Sequence, residues 1–463
     1  MATKTLTKIK SGVLSRGFAM ARMTATLGAK AAAHAAANVL REPEAQKDSL
    51  RALLQSQAHT VAQELGQLKG SAMKAGQMLS MFGEHFLPPE ANALLKVLQN
   101  QTPPVSWAAI DKALQAELGP ERLAELEIDQ KPLGTASLGQ VHRAKVRASG
   151  RDIVLKVQYP GVAGAIDADI RTLRHLLSMA RLIPKGNQLD PLFDEVKQML
   201  TQEADYVQER LHTERFRAAL ADDARYVVPH TLPRYCTTRV LATTFEAGVA
   251  VDGPEVAALA LPRRNALAIA ALSLYLRELF VLRQVQTDPH FGNYRVRLGD
   301  GGATPDRLVL LDFGAVREVP EAYMSGYRDL IAGSCNVQPE QLIRGAETLG
   351  LMRPDDTQAR HDAFVRLCYL FTEPFGLPQT PGMRRDLFDA DGAYDFGHSD
   401  LPSRVARLAS QSVAALGLRA PPRESIFLDR KLAGVFIFMS TLKACFAGRP
   451  VLAQAIDMVE EAA

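Results

Sequence analysis

A lysine inside an apolar strand, an aspartate five residues before an asparagine, and a second aspartate followed by Phe-Gly suit phosphoryl transfer in type and order. In QTDPHFGNYRV, Asp288 precedes a proline-containing turn and Asn293 opens the next strand. In LVLLDFGAV, Asp312 ends the apolar strand Leu308 to Leu311, and Phe313-Gly314 follow at once. Pairing of these strands across the polar loop GDGGATPDR returns Asn293 and Asp312 to one edge. One amide oxygen and one carboxylate oxygen there suit Mg2+, whose other ligands are phosphate oxygens and water. Asp288, on the preceding turn, is placed to position or deprotonate a hydroxyl or water. A lone DFG is a weak signal; the ordered set D-x-x-x-x-N, strand, hairpin, strand, D-F-G is a strong one.

Lys156 lies between Leu155 and Val157, so it points away from the apolar side of its strand. An isolated strand lysine ordinarily faces solvent. What favours a phosphate role is the turn Gly134-Thr135-Ala136-Ser137-Leu138-Gly139, one hairpin earlier. Its backbone amides can approach phosphates closely, and a lysine on the next-but-one strand can reach the same oxygens. The turn matches neither GxxxxGK[ST] nor GxGxxG, so alone it is weak, and Ser137 and Gln140 equally suit turn hydrogen bonding. Glu209, in QEADYVQERLHTERF beside Glu203 and Asp205, is the candidate carboxylate to hold Lys156; the alternative is a charged helix facing water.

Two histidines need weighing. With Asp288 and Asp312, His290 imitates a metallohydrolase cluster, but no second histidine or paired carboxylate motif completes one. A backbone hydrogen bond in the tight turn is the preferred reading, and His142 is read likewise as a strand or turn hydrogen-bonder. In LKGSAMKAGQMLSMFGEHFLPPE, Lys74 and Gln77 share a helix face, and Gly76 permits close packing. Met73, Met78, Leu79, Met81 and Phe82 dock that helix on another layer, so the polar pair needs partners that the spacing does not name.

The elements that must position these residues follow from periodicity. A basic, alanine-rich segment occupies residues 1–48. Helix formers dominate from about Asp48 to Leu98, broken at Pro88-Pro89 and ended by Pro103-Pro104; another helix runs from Trp107 to about Leu126. Residues 49–130 thus form a helical extension. At Lys131 the pattern turns to strands, with Val141, Ala144 and Val146 before a hairpin at Ala148-Ser149-Gly150 and Ile153, Leu155 and Val157 alternating after it. Helices are expected over Ala165 to Leu182 and Asp190 to about Leu220, then strands around Thr231 to Tyr235 and Arg239 to Phe245. Residues 131–248 form this strand-rich unit with inserted helices. Residues 249–463 are mainly helical, apart from Tyr294 to Leu298 and Leu308 to Leu311. The expected class is α+β, with neither a barrel nor a doubly wound sheet.

Composition excludes some functions. Hydrophobic residues make up 47% and charged residues 23%, as in an ordinary globular protein, and a net charge of +3 over 463 residues without a basic block gives nucleic acid no footing. Cys236, Cys335, Cys368 and Cys445 are scattered, without metal-ligand spacing, and read as reduced thiols in a cytosol-like compartment. No stretch reads as a membrane span; the best candidate, Leu432 to Leu442, is far short of the roughly 20 residues required. From Met1 to Leu40 there is no acidic residue, and six lysines and arginines sit among Ala, Met and Leu. Three readings fit: a helix with a basic face, a membrane-surface segment, or an organellar targeting peptide.

KAGQ at Lys74 to Gln77, PLGTASLGQVHRA, VLKVQYPG, EADYVQE, QTDPHFGN and LLDFG together resemble the ABC1/AarF/UbiB family of atypical kinase-like proteins, also called Coq8 or ADCK, over roughly residues 69–319. The resemblance implies a bilobal protein-kinase-like fold with a family-specific N-terminal helical extension and a mainly helical C-lobe. It implies ATP and Mg2+ as cofactors, with nucleotide bound by Gly134, Thr135, Ala136, Ser137, Lys156 and Glu209. Lys156 and Asp288 would act in catalysis, and Asn293 and Asp312 would hold the metal. Lys74 and Gln77, facing Glu203 and Asp205, would occlude the groove for peptide substrates. The family commonly shows AAAS where this chain has Gly134-Thr135-Ala136-Ser137, and the extra glycine relaxes that loop.

The same resemblance implies a quinone-precursor or isoprenoid lipid, a membrane surface and lipid-biosynthetic proteins as partners, at a cytoplasmic or membrane-peripheral location. The expected function is a Mg-dependent ATPase or atypical small-molecule or lipid kinase supporting ubiquinone or related isoprenoid-lipid metabolism. An ATP-binding scaffold with negligible turnover, an atypical protein kinase and, more distantly, a metallohydrolase are the competing readings.

Overall fold

Alternating apolar side chains set the first sheet of this computed structural model, which describes residues 71–83, 105–136, 138–179, 190–302, 304–377, 379–405, 407–408 and 422–460. The basic N-terminal segment, much of the helical extension and Ser137 lie outside the described residues. The fold is mixed α/β, with helical regions and several small sheets. It divides into two units, Met1–Leu211 with His230–Phe245, and His212–Pro229 with Glu246–Ala463.

In the first unit, α1 (Ser71–Gly83) packs on α3 (Val162–Met179) and α4 (Asp190–Glu203), burying Ala75, Met78 and Leu79. Between α1 and α3 in sequence come α2 (Trp107–Ala124), β1 (Leu126–Ile128), β2 (Gly134–Thr135), β3 (Gly139–Val146) and β4 (Asp152–Gln158). After α4 the chain continues through α5 (Tyr206–Ala219), whose residues from His212 on belong to the second unit, then β5 (Tyr226–Val227), also of the second unit, and β6 (Val240–Thr244) of the first. The antiparallel sheet runs β1-β3-β4-β6, with β2 also on β3. Ile153, Leu155 and Val157 are buried, as the alternation requires, so Lys156 faces the other side.

Two expectations here change. The helix foreseen from Asp190 to Leu220 is two helices, because Asp205 caps a new start: its Oδ1 accepts from the amides of Val207 and Gln208, each at 3.1 Å. The strand foreseen at Thr231 to Tyr235 is one bridge, Thr231 to Thr243, followed by a 3-10 turn at Pro233–Tyr235. Pro233 has no amide to give a ladder.

The second unit is built around α6 (Leu261–Arg277), which continues through a π-helical turn, Glu278–Leu282, and ends at Arg283 in the left-handed region with φ 50°. By length and composition, Leu261–Leu282 is long and apolar enough to cross a membrane, which corrects the expectation that no such stretch exists. It escaped notice because Arg277 and Glu278 interrupt its apolar run. Some 61% of its most apolar stretch is buried, the placing of a core helix.

Strand β7 (Gln284–Gln286) pairs with β10 (Val316–Glu318), whereas β8 (Tyr294–Arg297) and β9 (Arg307–Leu310) form the foreseen hairpin, extended by β5 on the far edge of β9. Beyond them lie α7 (Glu321–Cys335), α8 (Pro339–Thr348), α9 (Gln358–Phe371), β11 (Tyr394–Asp395), α10 (Arg423–Thr441), β12 (Cys445–Phe446) and α11 (Gly448–Glu460). Helices α10 and α11 pack on α6, and the apolar run from Leu432 to Leu442 is the core-facing part of α10 and its C-cap. All four cysteines are free thiols.

Candidate functional site

In the first unit, the centre is a buried ion pair. Lys156 sits mid-strand, opposite Val141 of β3 and Leu241 of β6. Its Nζ donates to both carboxylate oxygens of Glu209, at 2.7 and 2.9 Å, and lies 5.3 Å from the centre of the Tyr206 ring. The Glu209 side chain is 1% exposed and that of Lys156 14%, so a buried anion holds a cation that keeps some surface. Asp205, by capping α5, fixes the start of the helix that carries Glu209.

The glycine turn is tighter than a loose phosphate cradle. Gly134 and Thr135 are exposed and pair with Val141 and Gln140, while Ala136 uses its amide within the turn, donating to the Gly139 carbonyl at 2.9 Å. A Cβ on Gly134 would meet nothing within 4 Å, whereas one on Gly139 would stand 2.5 Å from the Val157 oxygen and 2.6 Å from the Tyr206 hydroxyl. Gly139 is therefore required by packing. His142 is fully buried: Nδ1 donates to the Asp129 carbonyl at 2.8 Å, and Nε2 accepts from the Gln140 amide at 3.0 Å. That pattern fits the neutral ring, and burial lowers its pKa.

On α1, Lys74 pairs with Glu203 at 3.2 Å, both side chains largely buried. Gln77 lies on the same helix; its side chain is outside the described atoms. Ser71, one turn earlier, donates its hydroxyl to buried Asp169 of α3. That contact was not foreseen, although a polar residue on the inner face of an amphipathic helix was a usable signal.

In the second unit, the structure brings Asp288, Asn293 and Asp312 onto neighbouring segments. The Asn293 side-chain amide donates to the Asp288 carbonyl at 3.1 Å and approaches its Oδ2 at 3.4 Å, leaving the amide oxygen as an acceptor. Leu311 donates its amide to the Asn293 carbonyl at 2.9 Å, which sets Asn293 one residue short of Asp312 in the hairpin register. The Gly314 amide donates to Asp312 Oδ1 at 2.9 Å. Gln286, missed in the sequence, ties the two motifs together: its Oε1 accepts from the Asp288 amide at 2.9 Å, and its Nε2 donates to the Asp312 carbonyl at 3.2 Å. His290 stands apart, an exposed ring whose Nδ1 accepts from the Gly292 amide at 2.9 Å.

Helix α10 supplies what the sequence left invisible. Arg430 donates to Asp288 Oδ1 at 2.8 Å, and its neighbour Lys431 is buried between Glu278, at 3.3 Å, and the Tyr294 hydroxyl, at 3.0 Å. Gly434 lies against Pro289 so closely that a Cβ would stand 2.0 Å from the proline Cβ. Phe438 packs edge-on against Phe291 and Tyr294, with each pair of ring centres 5.8 Å apart. Burial pushes the Glu278 carboxyl up to about 7 against the pull of Lys431. Burial also opposes the charge of Lys431, but Glu278 and Tyr294 outweigh it, and its pKa rises.

Comparison with known proteins places this arrangement. The ABC1 atypical kinase-like domain matches residues 97–344. The rat (Rattus norvegicus) mitochondrial atypical kinase COQ8B is 31% identical over 400 residues, covering 86% of this chain and 71% of that protein. This chain belongs to the ABC1/UbiB family of atypical kinase-like proteins. The mitochondrial atypical kinase COQ8 of Saccharomyces cerevisiae is 29% identical over 437 residues, covering 93% of this ABC1 chain and 82% of the yeast protein. The chain spans 60% of the length of the zebrafish COQ8B protein. A solved Mycobacterium tuberculosis structure, the complex of Rv3197 with erythromycin, shares the fold at a TM-score of 0.57 and 23% identity, covering 89% of this chain and 98% of that one.

Within the second unit, Asn293 and Asp312 supply hard oxygen donors of the kind that suit Mg2+. Among the described residues no group of three or more His, Cys, Asp or Glu side chains gathers to hold a metal. Mg2+ takes one or two protein oxygens and completes its shell with phosphates and water. Asn293 and Asp312 are that kind of pair.

Proposed function

We propose that this ABC1 chain has a protein-kinase-like fold and uses MgATP, as an ATPase or as a kinase acting on a small molecule or lipid, in support of quinone or related isoprenoid-lipid metabolism. The observation that carries the reading is the Lys156–Glu209 pair. A strand lysine facing solvent has no need of a carboxylate 53 residues away that is itself 1% exposed. Lys156, oriented by Glu209, binds nucleotide phosphates, with Gly134, Thr135, Ala136 and Ser137 as the nucleotide-binding turn. Asn293 and Asp312 hold Mg2+. Bound Mg2+ neutralises phosphate charge and fixes the phosphate oxygens for in-line displacement. Asp288 orients the attacking hydroxyl or water and accepts its proton. Lys74 with Glu203, and Gln77 with Asp205, serve an occluding role against protein substrates. The lipid context follows from family membership, and the mitochondrial atypical kinases among the relatives support it. The membrane contact proposed is peripheral.

The decisive experiment follows MgATP binding and phosphate release side by side for the wild type and Asp288→Asn, with and without vesicles carrying a quinone-like lipid. Both proteins should bind MgATP, and the variant should lose release by about 100-fold or more. A second reading, an ATP-binding scaffold, draws on one observation: the Asp288 carboxylate is already engaged by Arg430. A folded, nucleotide-bound wild type that releases no phosphate under any of these conditions would establish the scaffold instead.

A further inference from the structure

Arg430 reaches Asp288 from 142 residues away in the chain, on a helix with no chemistry of its own. The position of that helix is fixed independently. Lys431 anchors it to Glu278 and Tyr294, Gly434 presses it onto Pro289, and Phe438 packs edge-on against Phe291 and Tyr294. These contacts hold the backbone of the turn and its flanks. The Asp288 backbone is also tied down without Arg430, through Gln286 on its amide and Asn293 on its carbonyl. What Arg430 adds is a grip on the carboxylate itself, at Oδ1, while Oδ2 faces Asn293.

We propose that Arg430 is a positioning residue of the reaction: it fixes the rotation of the Asp288 carboxylate, holding Oδ1 so that Oδ2 is presented to the incoming hydroxyl or water. The inference rests on the functional reading above, in which Asp288 accepts that proton. A charge-assisted bond from a guanidinium is short and directional enough to set a carboxylate plane. Misplacing a reacting group by about 1 Å costs on the order of 100-fold in rate. The side chains of the pair are only 16% and 21% exposed, so the contact is sheltered from the screening that weakens surface pairs.

The test is a double-mutant cycle on the full chain, with lipid vesicles present: wild type, Arg430→Met, Asp288→Asn and the double variant, together with Arg430→Lys. MgATP affinity is read with a fluorescent nucleotide, and kcat and KM from phosphate release. Arg430→Met should lower kcat by roughly 10- to 100-fold with KM and MgATP affinity nearly unchanged. Arg430→Lys should recover part of the loss, since an ammonium can still donate to one carboxylate oxygen. In the Asp288→Asn background, Arg430→Met should change kcat less than about twofold, because the residue it acts through is gone. Turnover that needs Asp288 but not Arg430 overturns this inference and spares the functional reading. So does an equal fall in both backgrounds, which marks Arg430 as general scaffolding. Wild-type protein without turnover, or with turnover indifferent to Asp288, overturns the functional reading and this inference with it.

Discussion

The Glu209 carboxylate is a costly side chain to leave alone. It is 1% exposed, and Lys156 donates to both of its oxygens. Lys156→Met therefore removes the proposed phosphate ligand and also a cation that offsets a buried charge, which typically costs about 3–5 kcal/mol. Adding Glu209→Gln takes the charge away as well. Urea unfolding should show Lys156→Met strongly destabilised and the double variant recovering most of the loss, while neither binds MgATP. A single variant as stable as wild type would show that Glu209 is served by other partners. Residue type and spacing made Lys156, Asp288, Asn293 and Asp312 candidates, because each stands in or beside a strand or turn whose pattern is local. Glu209 lies on a charged helix where a water-facing reading was equally open, and the structure pairs it with Lys156. Gln286 and Arg430 were not legible. Gln286 acts on two backbone atoms, which leave no trace in side-chain chemistry, and Arg430 acts across 142 residues of chain. Asp205 was legible as an acid but not as a helix cap, although Asp205 with Gln208 three residues on is a recognisable start signal.

Among the elements, α10 shows how a packing constraint becomes a constraint on chemistry. Gly434 lies within a helix, where alanine would ordinarily be better by about 1 kcal/mol. Yet a Cβ there would overlap Pro289 at 2.0 Å, and proline beside the Asp288 turn has little freedom to move. Overpacking of this kind costs about 1–3 kcal/mol, so the clash should outweigh the propensity gain. Gly434→Ala is expected to lower the thermal midpoint and to cut phosphate release at least severalfold, by lifting Arg430 from Asp288, with MgATP affinity retained. Unchanged stability and release would mean that the seat of α10 is looser than the geometry indicates. Strands with clear alternation, β4, β6, β8 and β9, were legible to within about two residues. The two- and three-residue strands β1, β5, β7, β10, β11 and β12 were not, since so short a run carries no period and exists only through its tertiary partner.

For the molecule as a whole, the buried Glu278–Lys431–Tyr294 group links stability to pH. Burial holds the folded Glu278 carboxyl near 7, above its ordinary value of 4.5. Between those values the folded state binds more protons than the unfolded one, so this contribution is full below the lower value and lost as pH rises through about 7. Wild type should therefore lose unfolding free energy between pH 5 and 7 relative to Glu278→Gln, with a slope of at most about 1.4 kcal/mol per pH unit. Parallel urea midpoints for the two proteins across that range would contradict it. The family could be read from short motifs and a mixed helix-and-strand fold from periodicity, but the second unit owes its internal alignment to a feature no motif records. The π-helical turn at Glu278–Leu282 gives its helix one residue more than an α-helix would need for the same rise. The pairing of β7 thereby constrains the chain length after α6 to the single residue. Deleting one residue there would slide Gln284–Gln286 by one place along Val316–Glu318, and because strand side chains alternate, Gln286 would turn away from both motifs it joins. In alignments of relatives, then, gaps should shun this stretch, and a length change within it would mark a protein whose two motif segments are bridged in some other way.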